Sequence, residues 1–435
     1  MRLKDSVAAL TDRRFAWYFT ARTVSTAGSV MAPVALAFAV LHVDPSAGAL
    51  AQVLGVRTLA MVVFLLVGGV ISDRFSRITV LQVSHVLTLA TQGLAAALII
   101  SGHATLTQLT VIEAVNGAVS AFTMPAMMGI VPLVVRRSHL QQANALLSFS
   151  RNGLGIVGPA VAGLLVVGVG PGWALAVDAV TYAVAIVCLA QVRLPAHEGE
   201  ARRRVSMLRE LRDGWSEFTS RTWLWVIVVV FGINNAIHVG VIGVLGPLLA
   251  SRNPFVGEAG WGMVLSAEAI GTVLMTLVML RVAQRHPLRE GMIAVSLVAI
   301  PIAALGLTPH LGVLLVAFFV AGAAVEVFGV GWSTALHEHV PLSVLSRVSS
   351  YDALGSFVAI PVGTFVYGWL ASTVDLSVLL VGSAVVYAVV ALSALGSRSV
   401  RDLRRAAADE PLTQSGSPAP DGVRAQPTVG STTTT

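Results

Sequence analysis

Eight ionisable side chains stand inside long apolar stretches of this 435-residue chain: Arg22, Arg57, Glu113, Arg151, Asp178, His238, Glu268 and Glu326. A charge in hydrocarbon costs about 2.5–3.5 kcal/mol on membrane-insertion scales, so such groups pair with one another or face a water-filled cavity. Glu113, Glu268 and Glu326 are candidates for loading and releasing protons. Arg57 and His238 join them as candidates for ligand contact. Arg57 and Glu113 fall at similar depths in neighbouring stretches, which predicts an ion pair, structural or gating. Asp178 reads more readily as structural than functional. Arg22 and Arg151 lie toward one end of their stretches, where long side chains snorkel to the interface. Asn234, Asn235 and His238 make one polar patch, because i and i+4 share a helix face. That patch suits cavity lining and interhelix hydrogen bonding equally.

Two further motifs stand out. Gly69-Val70-Ile71-Ser72-Asp73-Arg74-Phe75-Ser76-Arg77 packs an acid and two arginines into a predicted tight turn between apolar segments. Gly69 permits close helix approach, and Asp73 and Arg74 offer opposite charges to a neighbouring helix end. Gly153 to Gly163 includes Gly155, Gly158, Pro159 and Gly163. Small residues there let helices approach, and the proline releases a backbone bond and bends its helix. His337-Glu338-His339 reads as a solvated helix end and not as a metal site. Cys188 is the lone cysteine, so intrachain disulfides are excluded and no Cys/His spacing binds a metal. Walker, nucleophile-elbow and HExxH motifs are absent. An enzyme, a cofactor and an ATP-driven pump are therefore not expected.

These residues need elements to hold them. Hydrophobic residues make up 55% of the chain and charged ones 11%, against about 45–50% and about 25% in soluble domains. The excess apolar surface must face lipid. Twelve stretches reach the roughly 20 residues that a spanning helix needs, near 15–41, 49–72, 79–101, 105–134, 143–168, 172–193, 223–250, 260–281, 288–308, 311–336, 348–371 and 376–396. With the N-terminus inside, 24 of the 28 Lys and Arg fall in cytoplasmic segments, one (Arg252) falls outside and three lie within spans. Both termini are therefore predicted to be cytoplasmic, and the net charge of +6 reflects topology and not nucleic-acid binding. The first span is too long for a signal peptide and no A-x-A site follows it, so it is expected to persist.

The expected fold class is an all-α polytopic membrane protein of 12 transmembrane helices in two pseudo-symmetric six-helix bundles. Residues 1–194 form the first bundle, 195–222 a cytoplasmic linker, 223–397 the second bundle and 398–435 a disordered cytoplasmic tail. Val131-Pro132-Leu133 is echoed by Val340-Pro341-Leu342, and Gly158-Pro159 by Pro361-Val362-Gly363, as in duplicated transporters. Within the linker, Met207 to Phe218 looks helical and is expected to be solvated or to lie on the membrane surface.

The Gly69–Arg77 stretch resembles the 2–3 loop signature G-x-L-A-D-R-x-G-R-[RK] of the major facilitator superfamily, with Ser76 for the usual Gly and Ile78 for a base. The fifth span resembles that family's exporter-associated G-x-x-x-G-P-x-x-G-G, with Leu154 and Ala162 as departures. Glu113-Ala114-Val115-Asn116-Gly117 falls where the antiporter fourth helix reads R-x-x-Q-G, so an acid replaces the family's arginine. Val131-Pro132 with Ala143-Asn144, and Arg347-Val348-Ser349-Ser350, resemble the transmembrane-effector branch of twelve-helix drug and siderophore exporters. The resemblance implies a monomeric carrier in the bacterial inner membrane, moving a small-molecule substrate by alternating access in exchange for protons. It also implies a charge latch from the 2–3 loop to the start of the eleventh helix, where Arg347 and Asp352 are the partners. An uptake symporter or facilitator, and a non-transporting sensor or assembly factor with the same fold, remain as alternatives.

Overall fold

The computed structural model describes residues 8–74, 76–128, 130–136, 139–192, 215–216 and 218–405. Of residues 8, 9, 66–74, 124, 125, 128, 132, 342–344, 346, 347 and 350 it describes the backbone alone. All regular structure among the described residues is helical. The long helices are α1 (Arg13–Val43), α2 (Ala47–Arg74), α3 (Arg77–Ile100), α4 (Leu106–Met128), α5 (Leu140–Val169) and α6 (Pro171–Ala190). They continue as α7 (Thr222–Arg252), α8 (Gly257–Met279), α9 (Pro287–Leu307), α10 (Leu311–His339), α11 (Leu342–Thr373) and α12 (Leu376–Ser393). Eleven are long and apolar enough to cross a membrane, which makes this a multi-pass membrane protein. The helix outside that set is α4, the expected fourth span, present with 23 residues and packed on α2 and α3.

Side chains such as Val63, Val83, Val167, Val180, Trp369 and Val385 stand on the outside of the protein, the inverse of a soluble surface and the face a bilayer covers. Packing repeats with a shift of six helices. The pairs α1–α5, α2–α4 and α3–α6 recur as α7–α11, α8–α10 and α9–α12, and the two sets meet through the related pairs α2–α11 and α5–α8.

Glycine sets the closest contacts. A Cβ on Gly117 would run into the carbonyl oxygen of Arg57, and one on Gly322 into that of Glu268. These are equivalent crossings, α4 on α2 and α10 on α8. Between the two sets, a Cβ on Gly262 of α8 would strike the Pro159 carbonyl of α5, and one on Gly368 of α11 would strike Ala51 of α2. Arg252 Nη2 adds a hydrogen bond to the Pro45 carbonyl, 3.4 Å away. All of these inter-set contacts lie in the half of the protein away from the termini. In the other half, Phe15, Tyr18, Ala126, Ala143, Ala185 and Leu189 belong to a core of their own.

Three expectations change. The signature stretch is not a turn: α2 stays helical through Arg74 and α3 begins at Arg77, so residues 75 and 76 alone connect them. The tail does not loosen at 398. Arg398–Arg401 is a short helix with Val400 fully buried, Arg405 N–H donates to the Arg285 carbonyl, and Arg405 Nε lies 3.3 Å from Glu338 Oε1. The linker's end is docked on the second set: Trp215 and Phe218 stack at 5.8 Å and both rings meet Tyr351 of α11, with Phe218 buried and Trp215 still exposed on its other side. Residues 193–214 and 406–435 lie outside the described residues.

Replacing Gly117 by Leu should wedge α4 from α2 and cost about 1–3 kcal/mol or more, as overpacking does. Gly93→Leu, at a position with open space beside it, should be near neutral. Thermal unfolding of both variants in detergent checks the contrast; equal melting of the two would show that the crossing is not tight.

Candidate functional site

The interior of α1–α6 holds most of the buried polar chemistry. Arg57 of α2 donates from Nη1 to Glu113 Oε2 of α4 at 3.0 Å, with the glutamate side chain fully buried. The Gly117 crossing brings the two backbones close enough for that reach. Glu113 Oε1 accepts from Asn116 Nδ2 at 2.9 Å, and Asn116 Oδ1 accepts from Thr91 Oγ1 of α3. Three helices are thus joined by one chain of bonds, and the expected pair forms. Glu113 has both oxygens committed in this arrangement.

Asp178 of α6 is 1% exposed and neither of its oxygens has a hydrogen-bond partner among the described residues. Its carboxyl covers Gly28 of α1, where a Cβ would collide with it. Close by, Tyr182 shares a 2.9 Å hydrogen bond with Ser29 and meets the His85 ring edge-on at 5.2 Å. Both ring nitrogens of His85, and Gln92 Oε1, are buried without hydrogen-bond partners among the described residues. Sequence reasoning passed over His85, Gln92 and Tyr182. Their spacing was the available signal, since His85 and Gln92 (i, i+7) and Asp178 and Tyr182 (i, i+4) each fall on one helix face.

In the second set, Glu326 Oε1 of α10 accepts from Thr276 Oγ1 of α8 at 2.8 Å. Glu268 is one helical turn up α8 from Thr272, whose hydroxyl donates to the Glu268 and Gly322 carbonyls. Asn235 Nδ2 donates to the Ser356 carbonyl at 3.4 Å, whereas Asn234 is 1% exposed with both side-chain polar atoms unpartnered. His238 closes the α-helical part of α7. The next seven residues, Val239–Leu245, wind as a π-helix before α-geometry resumes at Gly246. The wider turn seats Gly240 against Tyr367 and Gly246 against Trp261. Such π segments are frequent at functional sites.

The side chains of Gly69, Asp73, Arg74 and Arg347 lie outside those described. Asp352 is described: it accepts from Trp332 Nε1 at 3.1 Å, within a column of rings that runs through Phe231, Phe328, Trp332, Trp223 and His339. His339 therefore leans on Trp223 and is not a solvated end, and Glu338 pairs with Arg405. No group of three or more His, Cys, Asp or Glu suited to a metal ion occurs among the described residues. In the fifth-helix motif, Gly158 turns onto Val30 of α1, Pro159 and Gly163 turn onto α8, and Gly155 faces open space. The Ala160 N–H of α5 donates to Ser266 Oγ of α8 at 3.1 Å.

A lipid-facing exterior, two helix sets related by a six-helix shift and polar groups confined to the interior define a membrane transporter of the major facilitator type. The chain belongs to the transmembrane secretion effector family of that superfamily, which it matches over residues 4–417. It is 30% identical over 276 residues to an uncharacterized MFS-type transporter, y4rN, of Sinorhizobium fredii (strain NBRC 101917 / NGR234), a match covering 61% of this chain and 65% of that relative. Its fold is similar to the nucleoside transporter NupG, with a TM-score of 0.69 at 15% identity, covering 88% of this chain and 98% of that one. It is also similar to a bacterial homolog of the human lysosomal transporter Spinster in an inward-facing, unoccupied conformation, with a TM-score of 0.67 at 14% identity over 91% and 99% of the two chains. An auto-inhibited POT family peptide transporter gives 0.68 at 12% identity over 92% and 99%.

Arg57→Met leaves Glu113 buried without its cation and should cost about 3–5 kcal/mol, while Arg57→Met with Glu113→Leu should cost less than either loss alone implies. A double-mutant cycle read as thermal stability in detergent checks this, and strict additivity would show that the pair carries no coupling.

Proposed function

We propose that this chain is a secondary active exporter that moves a small, amphipathic or drug-like molecule out of the bacterial cytoplasm by alternating access, exchanging it for protons. The observation that carries the reading is the placement of the contacts between the two helix sets. They close the half away from the termini, through Gly262 on Pro159 and Gly368 on Ala51. The half containing Phe15, Tyr18 and Ala143 keeps a separate core. With both termini cytoplasmic, that packing supports a state that faces the cytoplasm, where an exporter loads. In this reading α4 makes the twelfth crossing, residues 1–194 and 223–397 rock as two bundles, and the protein works as a monomer in the inner membrane.

The fifth helix supports export through its Gly-Pro step, since Pro159, Gly163 and the Ala160 N–H form the seam that must part when the outer side opens. Asp73, Arg74 and Arg77 are the cytoplasmic latch toward Arg347 and Asp352. In the cytoplasm-facing state the latch is open, which accords with Asp352 being held by Trp332. Among the three acids, Glu113 is held by Arg57 and Asn116 and Glu326 by Thr276, so Glu268 is the leading proton carrier, with His238 a further candidate in the same set. The chain performs no chemistry on its cargo.

Inverted membrane vesicles, energised to an acid interior and reported by a pH-sensitive dye, test this. Adding compounds from a panel of amphipathic molecules should release protons in wild-type vesicles, and Glu268→Gln should abolish the release. Asp73→Asn should slow transport severalfold while leaving membrane insertion intact. Compound movement with no proton release would overturn the antiport, and wild-type rates in Asp73→Asn would remove the latch.

A further inference from the structure

We propose that Arg22 and Arg151 form the head of a binding site for an anionic group, a carboxylate, sulfonate or phosphate, on the molecule this transporter carries; the assignment of that group to cargo rests on the export reading above. Ser150 Oγ of α5 donates to Thr23 Oγ1 of α1 at 2.9 Å, which ties the two helices together at the residues adjoining Arg151 and Arg22. Arg151 also stands seven residues, about two turns, before Gly158 on the same helix face. Gly158 is the residue that α5 presses onto Val30 of α1. Both guanidiniums therefore belong to the α1–α5 seam, on the cytoplasmic side of the bundle.

Neither has a carboxylate. The ionisable groups near Arg22 are Tyr18, Tyr182, Arg151 and His85, and among the described residues its hydrogen-bond partner is the Met127 sulfur of α4, a weak acceptor. Arg151 is exposed and makes no ion pair among the described residues. Of the acids in this bundle's interior, Glu113 holds Arg57, and Asp178 lies over Gly28 of α1 with no hydrogen-bond partner among the described residues. Two like charges within each other's field repel. An anion between them reverses the sign of that interaction, and guanidiniums bind carboxylate and phosphate through two parallel hydrogen bonds. The hydroxyls of Thr23 and Ser150 belong to the residues adjoining the two arginines.

The site can be read without knowing the cargo. Cys188, the native thiol, is buried and is first replaced by Ala. Full-length protein carrying Ser150→Cys, in phosphatidylcholine nanodiscs, is labelled with an anionic (sulfonatoethyl) or a cationic (trimethylammonioethyl) methanethiosulfonate, and the rates are normalised to free cysteine. The anionic reagent should be favoured about tenfold, as clefts of one charge sign concentrate counter-ions. Arg151→Gln, an exposed and structurally mild change, should remove most of that preference, and Arg22→Lys should retain it. Carboxyfluorescein should slow labelling and rhodamine 6G should not. If phosphatidylglycerol in the disc slows labelling without any dye, the anion site stands and a lipid headgroup fills it. A normalised preference near unity, a preference unchanged by Arg151→Gln, or labelling slowed by none of these anions overturns the proposal. Labelling needs no flux, so a protein that passes here and fails in vesicles has lost the export reading and kept the anion site.

Discussion

Lipid gives helices no reason to associate by burying apolar surface, because the acyl chains are as apolar as the side chains. What remains is close packing and interhelix hydrogen bonding, and this chain is organised around both at the same places. Where Gly117 lets α4 lie against the Arg57 carbonyl, the Arg57–Glu113 pair and its extension to Asn116 and Thr91 become possible. Where Gly322 lets α10 lie against the Glu268 carbonyl, Thr272 and Glu326 bond across to the facing helix. Removing the glycine at either crossing would separate the polar partners as well as the backbones.

The two crossings are equivalent under the six-helix repeat, yet they hold different chemistry. The first set uses a full ion pair; the second uses a neutral donor on Glu326, and Glu268 makes no ion pair among the described residues. A duplicated scaffold can diverge in this way, since backbone approach is fixed by glycine and the side chains beside it are free to differ. At these crossings the first set commits its carboxyl to an ion pair and the second does not. The inter-set seams, Gly262 on Pro159 and Gly368 on Ala51, use glycine without ion pairs. That suits contacts which must break and reform.

Much of the fold was legible because the bilayer imposes a length and a charge rule on every span. Residue ranges such as 15–41 and 172–193 match α1 and α6 within a few residues, and the Arg57–Glu113 pair followed from depth alone. Three things were harder to read. Hydropathy marks where a helix is apolar and not where it stops, so a charged Ser72–Arg74 looked like a turn although it continues α2. Polar residues without formal charge carry little weight in an apolar stretch, and so His85, Gln92 and Tyr182 escaped notice beside Asp178. Aromatic residues in a polar segment give no periodic signal, so the docking of Trp215 and Phe218 on Tyr351 had no mark in the sequence.

The π-helical stretch of α7 makes the chain sensitive to counting. Its seven residues, Val239–Leu245, take the place of a stretch that α-geometry would fill in a different phase. Winding those seven residues as an ordinary α-helix would turn everything beyond by about one residue's arc, about 100°. Gly246 would then leave the Trp261 ring, and Arg252 would swing away from the Pro45 carbonyl that it now reaches. Along that segment the wide turn takes up one residue of length, so the partners beyond it depend on how the backbone winds as much as on which apolar residues it carries.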